Sequence, residues 1–338
     1  MAGRGLGVIV AALLSVTVAA AGCSARPPAP VTSATSATPP AAPTGTPTGT
    51  PTAVAAPDGC DGGGPRLKEG RHTIEFAGMK REFLLALPDG DGPHPVLLNL
   101  HGLGSNAREQ AAYSRLPRAG AARGYVVATP QVAEDRLAWT LPRGFGPDDT
   151  GFLGALLDRL EQRLCVDRRR AFAAGLSYGG GMAAALACGL RGRLAGVAVV
   201  AGLSLVRPCQ DPPPVTLVAF HGTADRAVPY RGGHPLRDAT GDLRKLADLV
   251  TLPPVRRSAE EWAAALGCPE PEVSSPVRSV RLRAWDGCER GAAVRLYTID
   301  GGGHTWPGPI EVPRLGVTAR GLDATALILD AFDAAEPR

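Results

Sequence analysis

Two hydropathy periods take turns along this chain from residue 72 onward. His72–Ala77 and Lys80–Leu87 read as the two strands of a hairpin turning at Gly78. Pro95–His101 is apolar without a break from Val96 to Leu98, as a strand buried on both faces would be. Ala107–Arg123 reads as helix and Tyr125–Thr129 as the next strand. In Thr150–Arg163 and the residue that follows, Phe152, Leu153, Leu156, Leu157, Leu160 and Leu164 recur at the three-to-four spacing of one helix face. Arg170–Ala174 predicts a strand and Gly179–Leu190 a helix; Gly196–Val200, Thr216–His221 and Val294–Ile299 predict three further strands. Ser258–Leu266 opens on Ser258 and Glu261, a capping-box spacing, and Ala319–Ala334 closes the pattern as a helix. Strand and helix alternating in this way predict an α/β fold, with a mostly parallel sheet covered by helices on both faces.

Upstream of this pattern the chain changes character twice. Arg4 is followed by an uncharged apolar stretch from Leu6 to Ala21, which ends in Ala20-Ala21-Gly22-Cys23. A basic residue, an apolar core and small residues before a cysteine are the marks of an export signal that ends at a lipid-modified Cys23. The alternative is an ordinary cut after Ala19–Ala21 and a freely secreted product. Pro27–Pro57 holds no charged residue and is almost entirely Pro, Thr, Ala, Ser and Gly. Such a segment buries too little apolar surface to offset its ordering entropy, so it reads as a tether reaching up to ~90 Å at ~3.1 Å per residue. The expected organisation is a signal peptide over 1–22, a lipidated cysteine and tether over 23–57, and one folded domain over 58–338. The expected location is outside the cytoplasm, at the membrane through Cys23.

Composition narrows the chemistry. The net charge is only +4 in 338 residues. No basic run carries interleaved aromatics, so nucleic acid is not an expected partner. There are 7 Cys, and setting Cys23 aside leaves Cys60, Cys165, Cys188, Cys209, Cys268 and Cys288. None stands in C-x-x-C spacing, which argues against a zinc site and for disulfides in an oxidising compartment. Six cysteines allow 15 pairings. Proximity favours Cys188–Cys209 and Cys268–Cys288, leaving Cys60–Cys165.

The strongest chemical signal is Gly175-Leu176-Ser177-Tyr178-Gly179, placed between an expected strand and an expected helix. That context is a nucleophile elbow: the sharp turn leaves no room for Cβ atoms at the glycines and lifts the serine hydroxyl clear of the sheet. A serine hydroxyl needs a base, and the base needs an acid to orient it. Chains with this elbow supply them in the order Ser, Asp or Glu, His. His304 follows the last strand in the glycine-rich run Gly301–Gly303 and is the expected base; His234 lies in a polar loop, and His221 at a strand end reads as structural. Asp225, just past the strand that ends at His221, is the expected acid, ahead of Asp300, Asp242 and Asp248. The developing oxyanion would be met by the N–H of Tyr178 and by the loop Asn99–Asn106, with Leu103 N–H as the second donor. Trp306 and Trp139 are expected to line the substrate cleft.

Leu100-His-Gly-Leu103, Asp148-Asp-Thr-Gly-Phe152, Cys165-Val-Asp167, Gly175–Gly180, His221-Gly-Thr-Ala-Asp-Arg-Ala-Val-Pro-Tyr230 and Gly302-Gly-His-Thr-Trp-Pro-Gly308 occur in the order found in polyhydroxybutyrate depolymerases and feruloyl esterases. The chain resembles that family from about Asp58 to Ala334, most of all its actinobacterial lipoprotein branch. The resemblance implies an α/β-hydrolase fold, carboxylic ester substrates, no cofactor, a triad of Ser177, Asp225 and His304, and oxyanion donors at Leu103 and Tyr178. Gly232–Val255 departs from the family by its length and charge. Two other readings remain open: a serine peptidase of prolyl-oligopeptidase type, and an inactive binding protein anchored at the surface.

Overall fold

A computed structural model describes residues 60 and 66–338; the expected signal peptide, the Cys23 anchor and the tether lie outside them. In chain order come β1 (Gly70–Phe76), β2 (Met79–Ala86), β3 (His94–Leu100), α1 (Ala107–Ser114), α2 (Leu116–Ala121), β4 (Val126–Pro130), α3 (Asp149–Arg163), β5 (Val166–Leu176) and α4 (Tyr178–Gly189). They are followed by β6 (Leu194–Val200), β7 (Thr216–Gly222), α5 (Gly241–Asp248), α6 (Val255–Ala265), β8 (Glu272–Val277), β9 (Val280–Trp285), β10 (Ala293–Ile299) and α7 (Ala324–Asp333).

The ten strands of the described residues form one sheet in the order β1-β2-β4-β3-β5-β6-β7-β10-β9-β8. From β4 through β10 neighbouring strands are parallel. Antiparallel hairpins extend both edges, β1–β2 on one side and β9–β8 on the other. The apolar runs sit in the middle because a parallel sheet is covered twice: Ala171 and Ala173 of β5 face one core cluster, Phe172 and Ala174 the other. The first cluster takes the apolar face of α3, most of α4, and Val255, Ala259 and Trp262 of α6; the second takes Leu116 of α2 and Ile328, Leu329 and Phe332 of α7. This is the α/β-hydrolase architecture.

Several boundaries differ from the sequence expectation, each for a local reason. The helix expected over 107–123 is two helices. Arg115 turns into the left-handed region at φ 57, and Pro117, which has no N–H to donate, stands at the start of the second. The capping box at Ser258 is not used, because α6 begins a turn earlier at Val255; Ser258 is buried and its hydroxyl turns back to the Pro254 carbonyl at 3.4 Å. The closing helix starts only at Ala324, where Asp323 accepts from the N–H of Thr325 and Ala326. The polar β8–β9 hairpin carries no clear apolar period; α5 does carry one, with Leu243, Leu246 and Ala247 on one face, set among the charges of Asp242, Arg244, Lys245 and Asp248.

Three disulfides join Cys60–Cys165, Cys188–Cys209 and Cys268–Cys288. These are the pairs that proximity favoured, and they fit a protein of an oxidising, extracytoplasmic compartment. The first links residues 105 apart, the other two residues 21 and 20 apart. Loop-closure entropy grows with loop length, so replacing Cys60 and Cys165 together by serine should lower stability most, by about 3–5 kcal/mol. Urea unfolding of this variant and of the Cys188/Cys209 variant checks the order; equal midpoints would contradict it.

Candidate active site

Ser177 stands between β5 and α4 with φ 57 and ψ −120, a backbone region that a serine rarely adopts. The glycines around it make the turn possible. A Cβ at Gly175 would lie 2.3 Å from the Gly179 carbonyl carbon, and one at Gly179 would lie 2.2 Å from the Leu100 oxygen. The conformation is held by Ser177 N–H donating to Val200 O at 2.7 Å and by Gly181 N–H donating to Ser177 O at 2.9 Å. The sharp turn leaves Ser177 half-buried at the helix start, with Tyr178 as the first helical residue.

The loop after β3 lies against this elbow. A Cβ on Gly102 would come within 3.3 Å of Ser177 Cβ and 3.9 Å of its Oγ, so the backbone there runs directly beside the serine. The loop is braced from below. His101 is fully buried; its Nδ1 lies 2.9 Å from Gly102 O, and its Nε2 accepts from Val132 N–H at 3.3 Å. Burial lowers the His101 pKa, which keeps the ring neutral with its proton on Nδ1. Trp139 Nε1 donates to His101 O at 2.8 Å, and Gly104 N–H donates to Leu137 O at 2.8 Å. Asn106 caps α1 through Glu109 N–H.

The expected acid and base, Asp225 and His304, follow the C-terminal ends of β7 and β10, and their loops are stitched together. Thr223 N–H donates to Ile299 O, Ala224 N–H to Gly302 O, and Gly301 N–H to Thr223 Oγ1, at 2.9, 2.9 and 2.8 Å. Asp225 is buried. Its Oδ1 accepts from the N–H groups of Ala227 and Val228, both at 2.8 Å, and its Oδ2 lies 2.7 Å from His304 Nδ1. That contact orients the imidazole and leaves Nε2 as the ring nitrogen available to a reacting group. Burial acts to raise the Asp225 pKa, but hydrogen bonds and charge attraction from His221 and His304 outweigh it and hold the carboxyl well below the usual range. His304 itself is pinned by its N–H to Leu315 O at 2.7 Å.

One member of this group was read from sequence only as structural. His221 Nε2 lies 3.2 Å from Asp225 Oδ2 as well as 2.8 Å from Val228 O, while its Nδ1 is buried and has no partner among the described residues. The ring therefore carries its proton on Nε2 and gives Asp225 a second imidazole donor. The signal was present in the sequence as the four-residue spacing His221–Asp225. Removing this donor should cost a hydrogen bond to a charged group, lowering kcat by about 10- to 100-fold. His221→Ala is expected to do so with KM unchanged, and His221→Gln, which keeps a donor, to recover part of it. An unchanged kcat, or a loss wholly in KM, would contradict the positioning role.

The rival residues lie elsewhere. His234 is exposed and its Nδ1 lies 2.9 Å from Val250 O. Asp242 pairs with Lys245, Asp248 with Arg244, and Asp300 is exposed. The tryptophan expectation is corrected. Trp139 and Trp306 are 2 % and 1 % exposed, and each indole N–H is satisfied inside the protein, Trp306 by Thr325 Oγ1 at 3.0 Å. They support the walls from within and offer a substrate no surface. At the loop after β3, Leu103 and Leu137 are solvent-facing apolar side chains, 41 % and 51 % exposed.

Comparison with known proteins agrees with this architecture. Feruloyl esterase D of Neurospora crassa is 28 % identical over 263 residues, covering 75 % of this chain and 83 % of that protein. NocK of Nocardia uniformis subsp. tsuyamanensis, described as an esterase, is 31 % identical over 282 residues, covering 76 % and 80 %. Among solved structures, the acetyl xylan esterase from Aspergillus awamori superposes with a TM-score of 0.51 at 13 % identity, over 70 % of this chain and 94 % of that one, a likeness of fold. No family model matches the chain. With relatives of this kind aligned over most of its length, the chain is a carboxylic ester hydrolase and belongs to the feruloyl esterase-like family of α/β-hydrolases.

Proposed function

We propose that Ser177, Asp225 and His304 hydrolyse carboxylic esters through an acyl-enzyme, with the N–H groups of Leu103 and Tyr178 as the oxyanion hole. The observation that carries this reading is the 2.7 Å contact between His304 Nδ1 and a buried, ionised Asp225, in a fold that offers Ser177 on a strained elbow. In the first half-reaction Ser177 Oγ attacks the ester carbonyl carbon and its proton passes to His304 Nε2. The carbonyl oxygen gains the negative charge and is met by the two backbone donors. As the carbon–oxygen ester bond breaks, His304 returns the proton to the leaving alcohol. Water then attacks the acyl-Ser177 carbonyl as its proton passes to His304; the carbon–Oγ bond breaks, His304 returns that proton to Ser177 Oγ, and the acid is released. Asp225 stays ionised throughout and stabilises the imidazolium.

Feruloyl, acetyl and short hydroxyalkanoate esters are the substrates proposed, because the relatives and fold neighbours act on the first two and the motif resemblance adds the third. The test is a panel of methyl ferulate, acetylated xylan, short polyhydroxybutyrate and p-nitrophenyl esters of rising acyl length. Hydrolysis of at least one class with acyl-enzyme burst kinetics supports the reading. Cleavage of prolyl peptides with no ester hydrolysis would point to a peptidase instead.

The proposed setting is outside the cytoplasm, with the enzyme held at the membrane by lipid on Cys23. Two acyl chains on one cysteine meet the requirement for stable anchoring, and the charge-free stretch after it would hold the enzyme off the bilayer. Cys23→Ser is expected to move the protein from the membrane to the soluble fraction, or to block its processing, with specific activity unchanged. Fractionation with the intact mass of the N-terminal peptide reads this out. A wild-type protein wholly soluble and unmodified at Cys23 would leave a freely secreted esterase.

A further inference from the structure

A cavity of about 500 Å³ opens beside the loop that carries Asp225, and none of the proposed triad or oxyanion residues lines it. Its volume falls within the ~300–1,000 Å³ usual for small-molecule sites. Its wall comes from three segments. Thr223, Tyr230, Arg231 and Arg237 follow β7, Arg281 lies on β9, and Thr298 and Asp300 lie at the end of β10. Arg281 and Thr298 are directly paired across the β9–β10 ladder, so their side chains share a sheet face. Tyr230 OH is 2.9 Å from Thr298 Oγ1 and fixes the floor.

The wall carries an excess of positive charge. Three guanidinium groups face one carboxylate, Asp300, and it forms no ion pair with any of them. The carboxylates nearby in sequence are already engaged: Asp238 takes Arg226 in a forked contact at 2.7 and 2.8 Å, Asp248 takes Arg244, and Asp242 takes Lys245. Arg231, Arg237 and Arg281, all exposed, thus line the cavity with no carboxylate paired to them among the described residues. Guanidinium groups pair bidentately with carboxylate and phosphate. The hydroxyls of Thr223, Tyr230 and Thr298, together with the Asp300 carboxylate, are the partners that sugar hydroxyls need.

We infer that this cavity binds a sugar-sized ligand bearing an oxyanion, either a hexuronate or a sugar phosphate, at a site separate from the esterase centre. Two of the arginines, Arg231 and Arg237, belong to or border the long charged stretch Gly232–Val255, which gives that departure from the family pattern a purpose. A ligand held there would sit next to the Asp225 loop, so an acidic saccharide bearing an ester could be retained beside the cleft that cleaves it.

Calorimetric titration of the full chain with glucuronate, glucose 6-phosphate and glucose, at low and high salt, tests the inference. At least one anion should bind saturably and glucose should not; the tighter of the two anions names the source of the charge. Added salt should weaken binding. Each arginine lost should weaken binding by about tenfold, so Arg237→Ala/Arg281→Ala should bind about 100-fold less tightly at an unchanged unfolding midpoint. Absence of binding by both anions, glucose binding as well as they do, or wild-type affinity in the folded double variant would overturn the inference. The wild-type titration decides alone if that variant does not fold.

Discussion

Replacing Ser177 by alanine should lower kcat for ester hydrolysis by about 10⁵- to 10⁶-fold while leaving the fold intact. Alanine keeps the Cβ and removes only the hydroxyl, so the strained backbone at φ 57 and its bonds to Val200 and Gly181 are retained. What remains is catalysis by the oxyanion donors and by substrate binding alone, and removal of a triad serine is an effect of that order. Rates measured beside circular dichroism and an unfolding curve separate lost chemistry from lost structure. Turnover within tenfold of wild type would remove Ser177 from the mechanism.

Asp225→Asn is expected to lower kcat by about 10⁴-fold, the cost of an imidazole held in the wrong tautomer. The hydrogen bonds here make the argument specific. Oδ1 is committed to two backbone donors, Ala227 and Val228, so an asparagine would keep its oxygen there and turn its NH₂ toward His304 and His221. Both rings would then have to accept, which puts the His304 proton on Nε2, where it can no longer take one from serine. Asp225 also links fold to pH. Its folded pKa is depressed below the unfolded value of about 3.9, so its ionised form favours the fold above that pH, and the contribution is lost as pH falls toward the folded value. Asp300→Asn, in the exposed residue that was the rival acid, should leave ester turnover near wild type. The reverse pattern would mean that the acid is Asp300.

The parts of the site that the sequence made legible are those with local constraints. Gly175 and Gly179 mark the elbow because a Cβ at either would fall 2.2–2.3 Å from neighbouring backbone, so only glycine fits. The apolar run of β3 and the alternation of strand and helix mark the sheet because burial on both faces requires them. Cysteine pairs close in sequence were legible because short loops bring them together, and the third pair followed by exclusion. What sequence missed depends on tertiary neighbours. Trp139 and Trp306 were expected to line the substrate cleft, yet their N–H groups found partners inside, at His101 O and Thr325 Oγ1. His221 looked like a strand-end residue until the loop after β7 curled Asp225 back onto it. The β8–β9 hairpin has an exposed first strand, so its residues carry no apolar period, and only pairing with β10 defines it.

Labelling with a fluorophosphonate, read by intact mass and peptide mapping, tests the central claim most directly. The account predicts one adduct per chain, on Ser177, formed in step with loss of esterase activity, and absent from Ser177→Ala. It also predicts much slower labelling in Asp225→Asn, since the serine is then no longer activated. A chain that hydrolyses esters while Ser177 stays unlabelled, or one whose activity falls as another serine is modified, would contradict it.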